Sequence, residues 1–115
     1  MSVYLFVYGS LRDPAVQRAL FDRLVEGVPD ALPGYRLGKV TISDEGAIRT
    51  SGTATHLIVD PSDDPGDRVP GIVLRLSAAE LEVADAYEVD DYARIAVTLE
   101  SGIEAFVYAR AGEAH

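Results

Sequence analysis

The sequence predicts an α+β fold, a compact mixed barrel-like sheet flanked by two main helices, occupying residues 1–115 as one domain. Three observations lead there. The run Val3–Tyr8 is apolar or aromatic throughout, the pattern of a strand buried on both faces. Two segments carry helix-start signals, at Asp13-Pro14 and at Ser77–Glu80. The remaining strand-like stretches follow one another through Gly- and Pro-containing turns, so antiparallel neighbours dominate and the sheet is expected to curl. A chain of 115 residues can bury one core and leaves no room for a second.

The elements run as β-α-β-β-β-α-β-β. After the strand Val3–Tyr8, Asp13 is placed to cap a helix whose first residue is Pro14. Val16, Leu20 and Leu24 recur every fourth residue, with Ala19 filling in, and Gly27 is the expected stop. Pro33-Gly34 reads as a turn. Tyr35–Ile42 and Thr53–Val59 read as strands around a loop near Asp44–Gly46. The stretch DPSDDPGDRVP (60–70) is the clearest loop, and Gly71–Leu76 returns to strand. SAAE (77–80) is a capping box that opens a helix of about three turns. Tyr92–Leu99 and Ile103–Arg110 form a hairpin around Glu100-Ser101-Gly102.

Composition removes several classes of function. With no cysteine, disulfides, thiolate catalysis and cysteine-ligated metal sites are excluded. A net charge of −9 argues against nucleic-acid and anionic-membrane partners, which require a basic face. The N-terminal apolar run lacks a basic flank and is too short for a signal peptide or a membrane span, so a soluble cytoplasmic protein is expected. A small anionic ligand remains compatible with the charge if local groups outweigh the global field.

Two stretches carry chemistry. Between residues 80 and 91 there are six acids. At about 100° per residue, Leu81, Ala84 and Glu88 fall within about one 60° arc, widened by Val83 and Tyr87. Glu82 lies on the polar face, Asp85 at its margin, and Glu80 serves the capping box. Glu88 is therefore a carboxylate at the end of an apolar stripe. It can reach water from a helix end, pair with Arg94 or Arg75, or line a pocket where desolvation raises its proton affinity into the range useful for proton transfer. The second stretch is Tyr8-Gly9-Ser10-Leu11. A strand ends there in small residues just before a helix cap, a place where ligands collect and where backbone N–H groups can meet an anion. A plain turn accounts for the same residues.

VYGSLR near the N-terminus, VPGIVLRLSAAEL in the middle, and DAYEVDDYARIAV followed by a strand ending in FVYA resemble the gamma-glutamylcyclotransferase-like family of the AIG2-like type. The family pattern is a YGS/T-L strand end, a V-x-G strand, and a helix ending in D-x-x-E before a Y-x-R strand, and its parts occur here in order along nearly the whole chain. The resemblance implies a gamma-glutamylcyclotransferase-like fold with one pocket. It implies Glu88 as the general acid/base, the turn Tyr8, Gly9, Ser10 and Leu11 as the cradle for the amino-acid end of a small γ-glutamyl substrate, and Tyr92 as pocket lining. It implies release of 5-oxoproline and a free amine, with no metal and no cofactor. Two departures bear on the substrate: Val89 stands where glycine is frequent, and Ser43–His56 lacks the usual proline-rich segment.

The remaining candidates weigh toward structure. His56 alternates with Ala54 and Ile58 on a strand and reads as a hydrogen-bonded structural residue before a pocket residue. Arg12 reads as a surface arginine before a carboxylate holder. Tyr4 and Tyr108 read as core or barrel lining, and the 60–70 loop as a solvated acidic loop before a pocket cover. A non-catalytic ligand-binding or regulatory module on the same fold is the competing function. Glu88 speaks against it, because a binder of an anionic ligand gains nothing from a buried negative charge.

Overall fold

The computed structural model describes residues 2–41, 55–88 and 92–110, with backbone alone at Ser10, Val40, Thr41 and Thr55. The loop near Asp44–Gly46, most of the Ser43–His56 stretch and Val89 lie outside the described residues. In chain order the elements are β1 (Ser2–Val7), a single 3-10 turn (Ser10–Arg12), α1 (Pro14–Phe21), β2 (Gly27–Pro33), β3 (Tyr35–Thr41), β4 (Thr55–Pro61), β5 (Arg68–Ser77), α2 (Ala78–Tyr87), β6 (Tyr92–Thr98) and β7 (Glu104–Arg110).

Five strands form one sheet in the order β2-β5-β1-β7-β6, and β3 and β4 form a separate two-stranded ribbon. β1 lies at the centre, antiparallel to β5 and parallel to β7. Its unbroken apolar sequence follows from that position. Leu5 and Val7 face the helices, in a core with Val16, Phe21, Val25, Leu81 and Ala84. Phe6 and Tyr8 face the other way, in a second core with Leu32, Val59, Val69 and Val107. The ribbon contributes Val59 to that second core, so helices cover one face of the sheet and the ribbon the other. Each fully buried Leu, Val or Phe contributes about 1.5–3 kcal/mol relative to exposure.

The helix starts follow local chemistry. Asp13 Oδ1 accepts from the Ala15 N–H at 2.9 Å and Pro14 opens α1. Ser77 and Glu80 form the reciprocal capping box that opens α2. The far end of α1 differs from the sequence expectation. The helix stops after Phe21, where Asp22 takes a left-handed conformation (φ 56) and its N–H bonds to the Arg18 carbonyl. Leu24 therefore lies beyond the helix and is 49% exposed, and Phe21 and Val25 fill the core instead.

Gly27 is not a helix stop but the first residue of β2, a strand absent from the sequence reading. This strand carries Pro29 and Pro33. Both are tolerated because β2 is an edge strand, paired on one side with β5. β5 likewise begins earlier than expected, at Arg68, with Val69 fully buried, and β4 runs on to Pro61, which shortens the acidic loop to 62–67. The expected turn at Pro33-Gly34 is present, with Gly34 at φ 80. Tyr4 departs from the expectation of core or barrel lining: it is 43% exposed near the start of β1.

Candidate active site

The end of β1, the 3-10 turn after it, the start of β4, the residue that caps the C-terminus of α2, the start of β6 and the later part of β7 meet at one cleft of about 330 Å³, counting its open mouth. Phe6, Val7, Tyr8, Gly9 and Leu11 line it from the first two elements. His56 and Leu57 come from β4, Glu88 from the end of α2, Tyr92 from β6 and Tyr108 from β7. Of the residues singled out in the sequence, Tyr8, Gly9, Leu11, Glu88 and Tyr92 thus share this cleft, and the backbone of Ser10 belongs to the turn beside it.

Glu88 caps the C-terminus of α2 in an extended conformation, its N–H donating to the Ala84 carbonyl at 3.0 Å. Its side chain is half-buried in the cleft wall. Burial first, and the negative charge of Asp85 second, push its carboxyl up to about 8. The partial negative charge of a helix C-terminus acts in the same direction. Among the described residues Glu88 has no arginine partner: Arg94 pairs instead with Asp85, Nε to Oδ1 at 3.1 Å.

The aromatic walls are fixed through their hydroxyls. Tyr8 donates to the Tyr108 carbonyl, Tyr92 donates to the Leu57 carbonyl at 2.7 Å, and Tyr108 donates to Asp85 Oδ1 at 2.6 Å. Burial drives the Tyr8 and Tyr108 hydroxyls above the usual phenol range. These rings present apolar surface to the cleft while their hydroxyls tie β1 to β7, β6 to β4 and β7 to α2.

Two supports escaped the sequence reading. Gln17, buried on α1, donates to the Leu11 carbonyl at 2.9 Å and accepts from the Val25 N–H at 2.9 Å. It fastens the turn after β1 to the segment after α1, and only its place beside Val16 in the helical stripe could have signalled it. Gly71, the glycine of the V-x-G strand, lies so close to the end of β1 that an added Cβ would stand 2.5 Å from the Val7 carbonyl oxygen and 2.6 Å from the Phe6 ring. Its bare backbone is what lets the strand end settle where the cleft begins. His56 is buried and lines the cleft. Arg12 is exposed, and neither it nor any residue of the 60–70 stretch is among the lining residues.

The sequence profile described as gamma-glutamyl cyclotransferase, AIG2-like, matches residues 5–115. This chain belongs to that family. It is 34% identical over 93 residues to the Protein AIG2 C of Arabidopsis thaliana, an alignment covering 81% of this chain and 49% of that protein. The chain spans about half the length of the curated relatives it matches. A second Arabidopsis thaliana protein, determined in solution, is similar with a TM-score of 0.74 and 28% identity over 99% of this chain and 72% of its own. A gamma-glutamyl cyclotransferase is similar in fold, with a TM-score of 0.76 and 18% identity, covering 97% of this chain and 68% of that one. The mixed α+β architecture of this chain, with its five-stranded sheet and two helices, is thus the fold it shares with these proteins. Among the described residues no helix is long and apolar enough to cross a membrane, and no group of His, Asp or Glu is placed to hold a metal ion.

Proposed function

We propose that this protein is a cyclotransferase that closes the γ-glutamyl group of a small amide into 5-oxoproline and releases the free amine, with Glu88 as general acid/base. The observation that carries the reading is the Glu88 carboxyl, held at about 8 on the wall of the cleft where β1 ends. A free α-amino group titrates at about 7.7–8.0. Proton transfer from such an ammonium to Glu88 is then nearly balanced, whereas to a carboxylate of ordinary affinity it would be uphill by about three pH units, or about 4 kcal/mol.

In the reaction the substrate's α-carboxylate rests against the backbone N–H groups of Gly9, Ser10 and Leu11. The first N–H groups of a helical turn have no partner within it, which suits them to an anion. Glu88 takes one proton from the α-ammonium. The freed amine attacks the γ-carbonyl carbon of the same molecule, forming the ring C–N bond, and the tetrahedral intermediate expels the amide nitrogen as Glu88 returns the proton to it. The ring nitrogen sheds its second proton as the intermediate collapses and the released amine takes it up, so no net proton is exchanged. Folding the substrate onto itself between the walls of Tyr8 and Tyr92 supplies the orientation, a contribution on the order of 7 kcal/mol or more for well-placed intramolecular attack. The chemistry needs one small-molecule substrate and neither metal, cofactor, nucleic acid nor membrane, and it suits a cytoplasmic protein.

The test is release of 5-oxoproline from a panel of γ-glutamyl amino acids, peptides and amines, with Glu88→Gln as control. We expect turnover by the wild type and a loss of roughly 10²–10⁴-fold in the variant. Equal turnover by the variant removes Glu88 from its role. Silence of the folded wild type across the panel, accompanied by melting shifts with the same compounds, gives the cleft to a binding module.

A further inference from the structure

Asp85 and Glu88 stand three residues apart at the end of α2, a spacing that places two side chains on neighbouring turns of one helix face. The Asp85 carboxylate does not swing free. Its Oδ1 accepts the Tyr108 hydroxyl at 2.6 Å and forms an ion pair with Arg94, Nε to Oδ1 at 3.1 Å. Each of these holders is itself held: Tyr108 is buried in the cleft wall and takes the Tyr8 hydroxyl on its carbonyl, and the Arg94 guanidinium stacks 4.7 Å over the Phe106 ring. A fixed anion is thereby built in about one helical turn from Glu88, paired with a cation that tempers its field.

We propose, building on the acid/base reading of Glu88, that Asp85 is a positioning residue that tunes the proton affinity of Glu88 through space, and that Tyr108 and Arg94 set the strength of that coupling by fixing and partly offsetting the Asp85 charge. The other titratable groups lining the cleft with Glu88 are Tyr8 from β1, His56 from β4, Tyr92 from β6 and Tyr108 from β7. Tyr8 and Tyr108 stay neutral through the working range, since burial raises both hydroxyls. Asp85 is thus the anion whose removal should move Glu88, and Arg94 the cation whose removal should move it oppositely.

The experiment follows the Glu88 carboxyl directly, by carbon NMR of protein labelled at the glutamate side-chain carboxyl, with the Glu88 resonance assigned by its loss in Glu88→Gln. Asp85→Asn, which keeps an acceptor for Tyr108, is expected to lower the Glu88 midpoint by about one pH unit. Arg94→Gln is expected to raise it. The acid limb of kcat/KM on the best γ-glutamyl substrate should move in the same two directions. A structural role for Asp85 would change activity or stability without displacing either titration. An unmoved Glu88 midpoint in Asp85→Asn, or an unmoved or lowered one in Arg94→Gln, overturns the proposal, and Arg94→Gln alone decides it if Asp85→Asn does not fold. The two readings separate cleanly. Opposite shifts in a protein that releases no 5-oxoproline support the coupling and remove the cyclotransferase; an unmoved midpoint in an active enzyme does the reverse.

Discussion

The two ends of α2 carry one glutamate each, eight residues apart, and the fold treats them in opposite ways. Glu80, at the N-terminal end, accepts two hydrogen bonds from Arg23, at 2.7 and 2.8 Å, and another from the Ser77 N–H. Those contacts, Arg23 first, hold its carboxyl down at about 2. Glu88, at the C-terminal end, has apolar and aromatic neighbours and a second carboxylate nearby, and stands at about 8. The helix dipole favours the first charge and opposes the second. The same side chain is held as an anion where donors converge on it and binds its proton more tightly where burial and a neighbouring carboxylate surround it. The cleft end of the helix is therefore the costly end, and its cost is visible in stability as well as chemistry.

The sharpest way to break this comparison is Glu88→Gln read as a stability experiment. A carboxyl that titrates at about 8 when folded and at the ordinary 4.5 when unfolded binds more protons in the native state across that window. Its contribution is fully present below about 4.5 and is lost as pH rises through about 8. Wild-type stability should accordingly fall between about pH 5 and about pH 9, and Glu88→Gln should flatten the fall, gaining on the order of 5 kcal/mol over the wild type at about pH 9. Urea unfolding at the two pH values reads this. Parallel curves for the two proteins would mean that Glu88 titrates alike in the folded and the unfolded chain.

The next effect concerns how the cleft end is built. Where α2 begins, an ion pair and a capping box do the holding; where the cleft begins, close packing does. Gly71→Ala would push a methyl against the Val7 carbonyl oxygen, which is backbone in the central strand and cannot turn aside. A loss of about 2 kcal/mol is expected from such overpacking, measured as a lowered urea midpoint, together with weaker binding of γ-glutamyl compounds because the strand end and Gly9 move together. A neutral Gly71→Ala would show that β1 has slack.

What could be read from the sequence divides along the same line. The capping box at Ser77–Glu80, the Asp13 cap and the two-faced burial of β1 are local patterns, set by residues a few positions apart, and each is present. Glu88 stood out because a carboxylate on an apolar stripe violates the helical period, and that violation needs no knowledge of the partner. The clamps that shape the cleft are different. Tyr108 meets Asp85 across 23 residues, Tyr92 meets Leu57 across 35 and Tyr8 meets Tyr108 across 100. No periodicity links such pairs, so Tyr108 read as lining without its partner and Asp85 as a residue at the margin of the polar face. β2 was hidden for a related reason: its prolines are compatible with a strand only once the strand is known to be an edge.

The smallest effect tests the structural end. Glu80 is held below its ordinary value, so its contribution is present above about 4.5 and is lost as pH falls toward about 2. Arg23 is half exposed, and an exposed partner is screened by solvent, so the shift overstates the energy. Glu80→Gln keeps an oxygen for the Ser77 N–H while removing the charge that meets Arg23. It should destabilise by on the order of 1 kcal/mol at about pH 7 and match the wild type near pH 2. Raising salt should shrink the difference at neutral pH, because the interaction lies at the surface, yet leave the Glu88→Gln difference at alkaline pH nearly intact, because desolvation is the larger part of that shift. If salt erased both differences alike, the two ends of α2 would be alike, and the distinction between a charge held by donors and a charge denied them would fail.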